Sequence, residues 1–142
     1  MTSTNAKSFV LFPLGEKRFA LPAETVTELA RPDRLQTFPH TTPLVAGVLL
    51  RRGRVLPVCD FAAVLVGPQA PPRKFYLIAN RSFGSVRERT AIPVTGECTL
   101  TSSEMLPRTG KLPAYVNGLL SLQDEIVEVL DLERLAATEA RA

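Results

Sequence analysis

The chain has 142 residues, 45% of them hydrophobic, and a formal net charge of +3. That apolar content excludes general disorder, and the length suits one compact unit or two small modules on a shared core. The charge excess is too small for a nucleic-acid signature. The opening run MTSTNAKS lacks the apolar stretch of a signal peptide, and no apolar run approaches the roughly 20 residues that span a bilayer. A cytoplasmic protein without membrane insertion is expected.

Strand signals are short and dense along the chain. Phe9 to Phe12 reads as a strand that Pro13 ends, and Leu14 to Lys17 supplies a turn before Arg18 to Leu21. Thr25 to Leu29 alternates polar and apolar in strand fashion. Pro32, Pro39 and Pro43 punctuate the approach to a hairpin centred on Arg51-Arg52-Gly53-Arg54. Asp60 is placed to cap a short helix over 61–66, which Gly67 terminates. The proline-bearing run 67–72 reads as a semi-rigid linker. Phe75 to Ile78 then opens the second half as Phe9 to Phe12 opens the first. The polar run 80–90 reads as a solvent loop, with weaker strands at Ala91 to Val94 and Cys98 to Leu100. A second hairpin is centred on Gln123-Asp124-Glu125, and Asp131 caps a terminal helix expected over 132–140.

The two hairpins are one pattern written twice. Val45 to Phe61 (VAGVLLRRGRVLPVCDF) and Val116 to Leu132 (VNGLLSLQDEIVEVLDL) align without a gap at an offset of 71 (116 − 45). Val45/Val116, Gly47/Gly118, Leu49/Leu120, Val58/Val129 and Asp60/Asp131 are identical, and Val48/Leu119, Val55/Ile126, Leu56/Val127 and Phe61/Leu132 exchange one apolar side chain for another. Such an echo sets the architecture before any single residue does. It predicts two similar β-modules, with Val48, Val58, Leu119 and Val129 buried. Many short strands between Pro/Gly turns argue for small barrels or a sandwich.

Catalytic chemistry finds no foothold. His40 is the single histidine, in a proline-rich stretch with no acid or nucleophile suggested beside it. Cys59 lies in an apolar strand and reads as a small buried hydrophobe, and neither it nor Cys98 belongs to a CxxC pair. There is no phosphate-binding glycine loop and no His/Cys ligand spacing, so no cofactor and no metal are expected. Phe9, Phe12, Phe19 and Phe75 occupy apolar strand positions, a core pattern rather than a base-stacking face.

The remaining class is an interaction protein, and the motifs in order resemble CheW-like domains. Phe9 to Gly15, Arg18 to Ala23 and Val26 to Leu29 resemble that family's opening, and Phe38 to Val48 its next segment. Arg52 to Phe61 resembles its arginine-glycine hairpin ending in Pro-apolar-x-Asp, while Tyr115-Val116-x-Gly118 and Val129 to Leu132 match its C-terminal hairpin. The resemblance covers about Phe9 to Leu135. It implies an all-β fold: two SH3-like five-stranded barrels sharing a hydrophobic core, in one domain spanning 1–142. A short helix should follow the first hairpin, and another should close the chain. It also implies a non-catalytic adaptor whose partners are a chemoreceptor signalling tip and the regulatory domain of a CheA-type histidine kinase. The matching receptor-groove positions are Val26, Glu28, Gly47 and Arg52. Arg52 at a hairpin tip suits hydrogen bonds to a receptor group or to a carboxylate such as Glu28.

One stretch departs from the family pattern. Family members carry Gly-x-x-Val-Asp-x-Val where this chain has Ala91-Ile92-Pro93-Val94-Thr95-Gly96-Glu97-Cys98. Proline removes a ladder donor, so that strand is expected at a sheet edge or cut short. A divergent scaffold that has lost one partner, or that serves a pathway other than chemotaxis, is the alternative. A barrel-type nucleic-acid binder is the distant third.

Overall fold

The computed structural model describes residues 6–30, 35–36, 45–67, 71–72, 74–83 and 86–135. The strands in chain order are β1 (Ala6–Leu14), β2 (Lys17–Pro22), β3 (Val26–Ala30), β4 (Leu35–Gln36), β5 (Val45–Arg51) and β6 (Arg54–Cys59). After the short helix α1 (Ala62–Leu65) come β7 (Phe75–Phe83), β8 (Val86–Val94), β9 (Thr99–Glu104), β10 (Leu106–Pro107), β11 (Val116–Leu122) and β12 (Glu125–Leu130). They form two six-stranded sheets, ordered β10-β11-β12-β2-β1-β9 and β3-β7-β8-β6-β5-β4. Each sheet has five longer strands and one of two residues, two small barrels of the expected SH3-like kind.

The duplication is visible residue by residue. β4, β5 and β6 moved forward by 71 positions become β10, β11 and β12. Gly47 lies opposite Val58 and Leu49 opposite Leu56, as Gly118 lies opposite Val129 and Leu120 opposite Val127. Both hairpins carry a bulge just before the glycine. Both are also joined to the rest of their barrel by a parallel pairing, Val58 with Ala91 in one and Val129 with Ala20 in the other. The barrels are not the two halves of the chain. β1 and β2 leave the N-terminus to complete the barrel of the C-terminal hairpin, here called the terminal barrel; β3 to β8 form the middle barrel. The run 67–72 joins α1 to β7, and β6 and β7 on either side of it belong to the same sheet.

Burial follows the same plan. Ala30, Leu49, Leu56, Val58, Tyr76, Ile78 and Ala91 fill the middle barrel. Phe9, Leu11, Ala20, Leu120, Val127 and Val129 fill the terminal one. A third and larger cluster draws on both sheets: Phe12, Phe19 and Leu21 meet Leu77, Ile92 and Val94, with Phe61, Leu130 and Leu135 closing around them. This is the shared core. Val48, Val58 and Val129 are buried as expected, whereas Leu119 is only partly so. Leu119 occupies the alternate face of β11 from Leu120, where it packs against the rim of the shared core.

Other expectations need correction. The run 80–90 is not a loop: β7 and β8 continue through it as a hairpin, with Arg81 opposite Glu88 and Asn80 opposite Arg89. The ladder runs without a register shift from Phe75 opposite Val94 to Phe83 opposite Val86, a pairing that composition alone disguised. Nor does Pro93 push its strand to an edge, because β8 sits between β7 and β6 and Pro93 is buried opposite Tyr76. Pairing with β6 is registered at Val58 and Ala91, two residues earlier, so the missing amide falls beyond that ladder. Asp131 accepts from the Glu133 (3.0 Å) and Arg134 (3.2 Å) amides, the capping role read from sequence. The N-cap of α1 is instead Phe61, and Asp60, one residue earlier, accepts from the Ala62 amide (3.1 Å). The backbone is helical over 132–135; the expected continuation through 140 lies outside the described residues, as does His40.

Two substitutions probe this plan. Val58→Ala and Val129→Ala should each cost about 1–3 kcal/mol in denaturant unfolding, because both vacate equivalent buried sites. A Cβ on Gly118 would stand 2.6 Å from the Leu106 carbonyl oxygen and 2.7 Å from Met105 Cγ. Gly118→Ala should therefore destabilise by about 1–3 kcal/mol by prising β10 from β11; an unchanged midpoint would contradict the close crossing.

Candidate functional site

Side-chain parity builds the site. Along β5, Gly47, Leu49 and Arg51 share one face, and Leu49 is fully buried in the middle barrel. Along β3, Glu28 and Ala30 share the inner face, and Ala30 is buried in the same cluster. Arg51 and Glu28 thus meet at the open end of the barrel, above the apolar filling. Arg51 Nε donates to Glu28 Oε1 at 2.9 Å, and Arg52 Nη2 stands 3.6 Å from Glu28 Oε2. The Arg51 and Glu28 side chains are 29% and 26% exposed, against 76% for Arg52, so Arg51 makes the sheltered bond. The bond ties β3 at one edge of the sheet to β5 near the other, helping to close the barrel.

Arg52 and Gly53 form a two-residue turn with φ of +52° and +75°, as a type I′ hairpin demands. Gln123 at the equivalent tip has φ of +43°, so the left-handed residue belongs to the hairpin design and not to the site alone. Thr27, Glu28, Arg51, Arg52, Arg54, Leu56, Ile78 and Arg89 line a cavity of about 310 Å³ at this mouth. The hydrogen bond from Arg51 holds the Glu28 carboxyl below its ordinary carboxylate range; burial opposes this, and the charges of Arg51, Arg52 and Arg89 reinforce it.

Of the four positions read from sequence, Glu28 and Arg52 are brought together. Val26 lies two residues along β3, partly buried against the shared core. Gly47 is buried four residues from Arg51, about 13 Å along the strand, and does not line the cavity. It is the counterpart of Gly118 in the duplicated hairpin, opposite Val58 as Gly118 is opposite Val129. Sequence reasoning passed over Arg51, although parity with Leu49 was the available signal. It also missed Arg89, which the β6–β8 pairing brings to the mouth from a distant part of the chain.

Elsewhere, Cys59 is fully buried, and burial pushes the partly buried Cys98 thiol up to about 11. Phe9, Phe12 and Phe19 are buried and Phe75 packs on the shared core, so none of them offers a stacking face. Among the described residues, no three His, Cys, Asp or Glu side chains gather as a metal site, and no helix is long and apolar enough to cross a membrane.

The fold defines the class first: two SH3-like barrels made from a duplicated unit around one shared core. Residues 8–140 match the CheW-like domain family, and the chain belongs to it. It is 37% identical to protein FrzA of Myxococcus xanthus over 93% of this chain and 86% of that one. A probable chemotaxis protein CheW of Rhizobium etli is 23% identical over 96% of this chain and 92% of its own length. The crystal structure of the scaffolding protein CheW from Thermoanaerobacter tengcongensis superposes with a TM-score of 0.71, at 20% identity, over 91% of this chain and 86% of that one.

The lowered Glu28 carboxyl sets a pH dependence. Its folded value lies below that of the unfolded chain, about 4.3. The stabilisation is therefore complete above that pH and is lost as pH falls through the folded value. The melting-temperature gap between the native chain and Glu28→Gln should be constant from about pH 8 to 6 and close in stronger acid. A gap that persists undiminished below about pH 3 would contradict the ion pair.

Proposed function

We propose that the protein is a cytoplasmic, non-catalytic adaptor that couples a chemoreceptor signalling tip to the regulatory domain of a CheA-type histidine kinase. Family membership supports the adaptor role, and the charged mouth of the middle barrel is the observation that carries the site. Glu28 and Arg52, matched on motif alone, come within ion-pair reach there. Arg51 anchors the carboxylate and leaves most of the Arg52 guanidinium turned to solvent, available to a receptor group. Val26 extends the surface toward the shared core, and Gly47 holds the strand geometry beneath it.

The identity to FrzA, 37%, exceeds that to the two relatives named for chemotaxis, 23% and 21%. That difference supports a second reading, in which the same adaptor chemistry serves a pathway other than chemotaxis.

Purified protein titrated separately with a receptor signalling tip and a kinase regulatory domain tests the proposal. Both should bind, and binding to neither contradicts it. Arg52→Ala should weaken tip binding by about 1.5–3 kcal/mol, the range for a charge-assisted bond. Its melting temperature should barely change, since an exposed pair contributes little to folding. Lys111→Ala removes the same charge from an exposed position away from the mouth and should stay within about 0.5 kcal/mol. Equal weakening by both would point to diffuse electrostatics and retire the site.

A further inference from the structure

The duplication provides a control within one chain, because most residues at the mouth of the middle barrel have a counterpart at the mouth of the terminal barrel. Glu28 lies opposite Ile78 and Thr99 opposite Leu11 in equivalent pairings. Arg51, Arg52 and Arg54 correspond to Leu122, Gln123 and Glu125, and Arg89 corresponds to Arg18, all at the offset of 71. The counterparts line a cavity of their own, which includes Leu11, Arg18, Thr99, Leu122, Gln123 and Glu125. There the plug is apolar, with Leu122 packed on the barrel filling.

The instructive difference is the outer pair. Arg18 and Glu125 form an ion pair between β2 and β12, each about two-fifths exposed. Arg89 and Arg54 hold the same places on β8 and β6, two and four residues before the paired Ala91 and Val58. One cation faces a carboxylate in the terminal barrel; two cations share the site in the middle barrel. Among the described residues, neither Arg54 nor Arg89 forms an ion pair. Both also line an adjoining cavity of about 670 Å³ with Val48, Val55, Leu56, Pro57 and Glu88, and Glu88 is itself engaged. Among the described residues, four guanidiniums and two carboxylates therefore line the two cavities. The fold does not require this excess, because its own duplicate closes the same mouth with a balanced pair.

We propose that a carboxylate of the protein partner seats between Arg54 and Arg89, the place that Glu125 takes against Arg18. This deepens the adaptor reading and rests on it for the partner's identity. The recognised segment carries an acidic side chain beside an apolar one. Val55, 63% exposed, and Leu50, 57% exposed, stand opposite each other on the outer face of the same hairpin and would receive the apolar neighbour. The charge contrast makes the attraction salt-sensitive.

Arg54→Glu supplies the missing carboxylate within the chain, as the terminal barrel does, so it should keep or raise the melting temperature while closing the site. Binding of a fluorescent hexaglutamate peptide at low salt, read by anisotropy, should fall about tenfold or more in Arg54→Glu and several-fold in Arg89→Gln. Glu125→Gln should leave it unchanged. Absent binding to the native chain, equal binding by Arg54→Glu and Arg89→Gln, or preference for a single-stranded oligonucleotide of equal charge would each overturn the proposal. The receptor tip, measured in parallel, separates the two readings. A tip that binds native chain and Arg54→Glu alike refutes the carboxylate seat and leaves the adaptor standing. A tip that fails to bind, with hexaglutamate still lost in Arg54→Glu, refutes the receptor and upholds the seat.

Discussion

The whole architecture depends on two parallel strand crossings, Val129 beside Ala20 and Val58 beside Ala91. A barrel made only of the C-terminal hairpin and its neighbours would expose the edge of β12, and an unpaired edge is costly or prone to association. β2 covers that edge, as β8 covers the edge of β6. Alanine stands at both crossings and is fully buried in both, a small side chain where a large one would compete with the valine for the barrel interior. Because β1 and β2 precede the contiguous middle barrel and β9 to β12 follow it, the terminal barrel is assembled from two separate stretches of the chain. Phe12, Phe19 and Leu21 then face Leu77, Ile92 and Val94 across the shared core, so each barrel contributes apolar surface that the other must cover.

Duplication fixes what the fold needs and thereby isolates what it does not. Leu49/Leu120, Val58/Val129, Ala91/Ala20 and Ile78/Leu11 are interchangeable fillings of the two barrels. At the mouths the copies diverge. One is plugged by an apolar leucine and rimmed by a balanced ion pair, the other by a sheltered Glu28–Arg51 bond and rimmed by arginines. Exchange of a partly buried ion pair for apolar packing is close to neutral for stability. The charged mouth is thus a surface on which sequence can vary without loss of the barrel, which is the condition for a binding site.

Much of the fold was legible in the chain. The repeated Val-x-Gly, the closing aspartates and the polar centres located both hairpins, because alternation and turn chemistry are local, although Arg51, Arg54 and Glu125 at the margins of those centres belong to the strands. The swap of β1–β2 into the terminal barrel was not legible, since parallel pairing between distant strands leaves no local mark. The hairpin across 80–90 was hidden by polarity, and Pro93 misled because its tolerance depends on where a neighbouring ladder ends. At the site, Glu28 and Arg52 came from motif position, while Arg51 needed parity with Leu49 and Arg89 needed the tertiary pairing of β8 with β6.

The central claim is that the middle-barrel mouth, and not its duplicate, is the docking surface. Its most direct test is an amide chemical-shift map of isotopically labelled protein titrated with a chemoreceptor signalling tip. The account predicts perturbations concentrated at Thr27, Glu28, Arg51, Arg52, Arg54 and Arg89, with Thr99, Leu122, Gln123 and Glu125 unmoved. Perturbations of the second set, or of both sets alike, would contradict it.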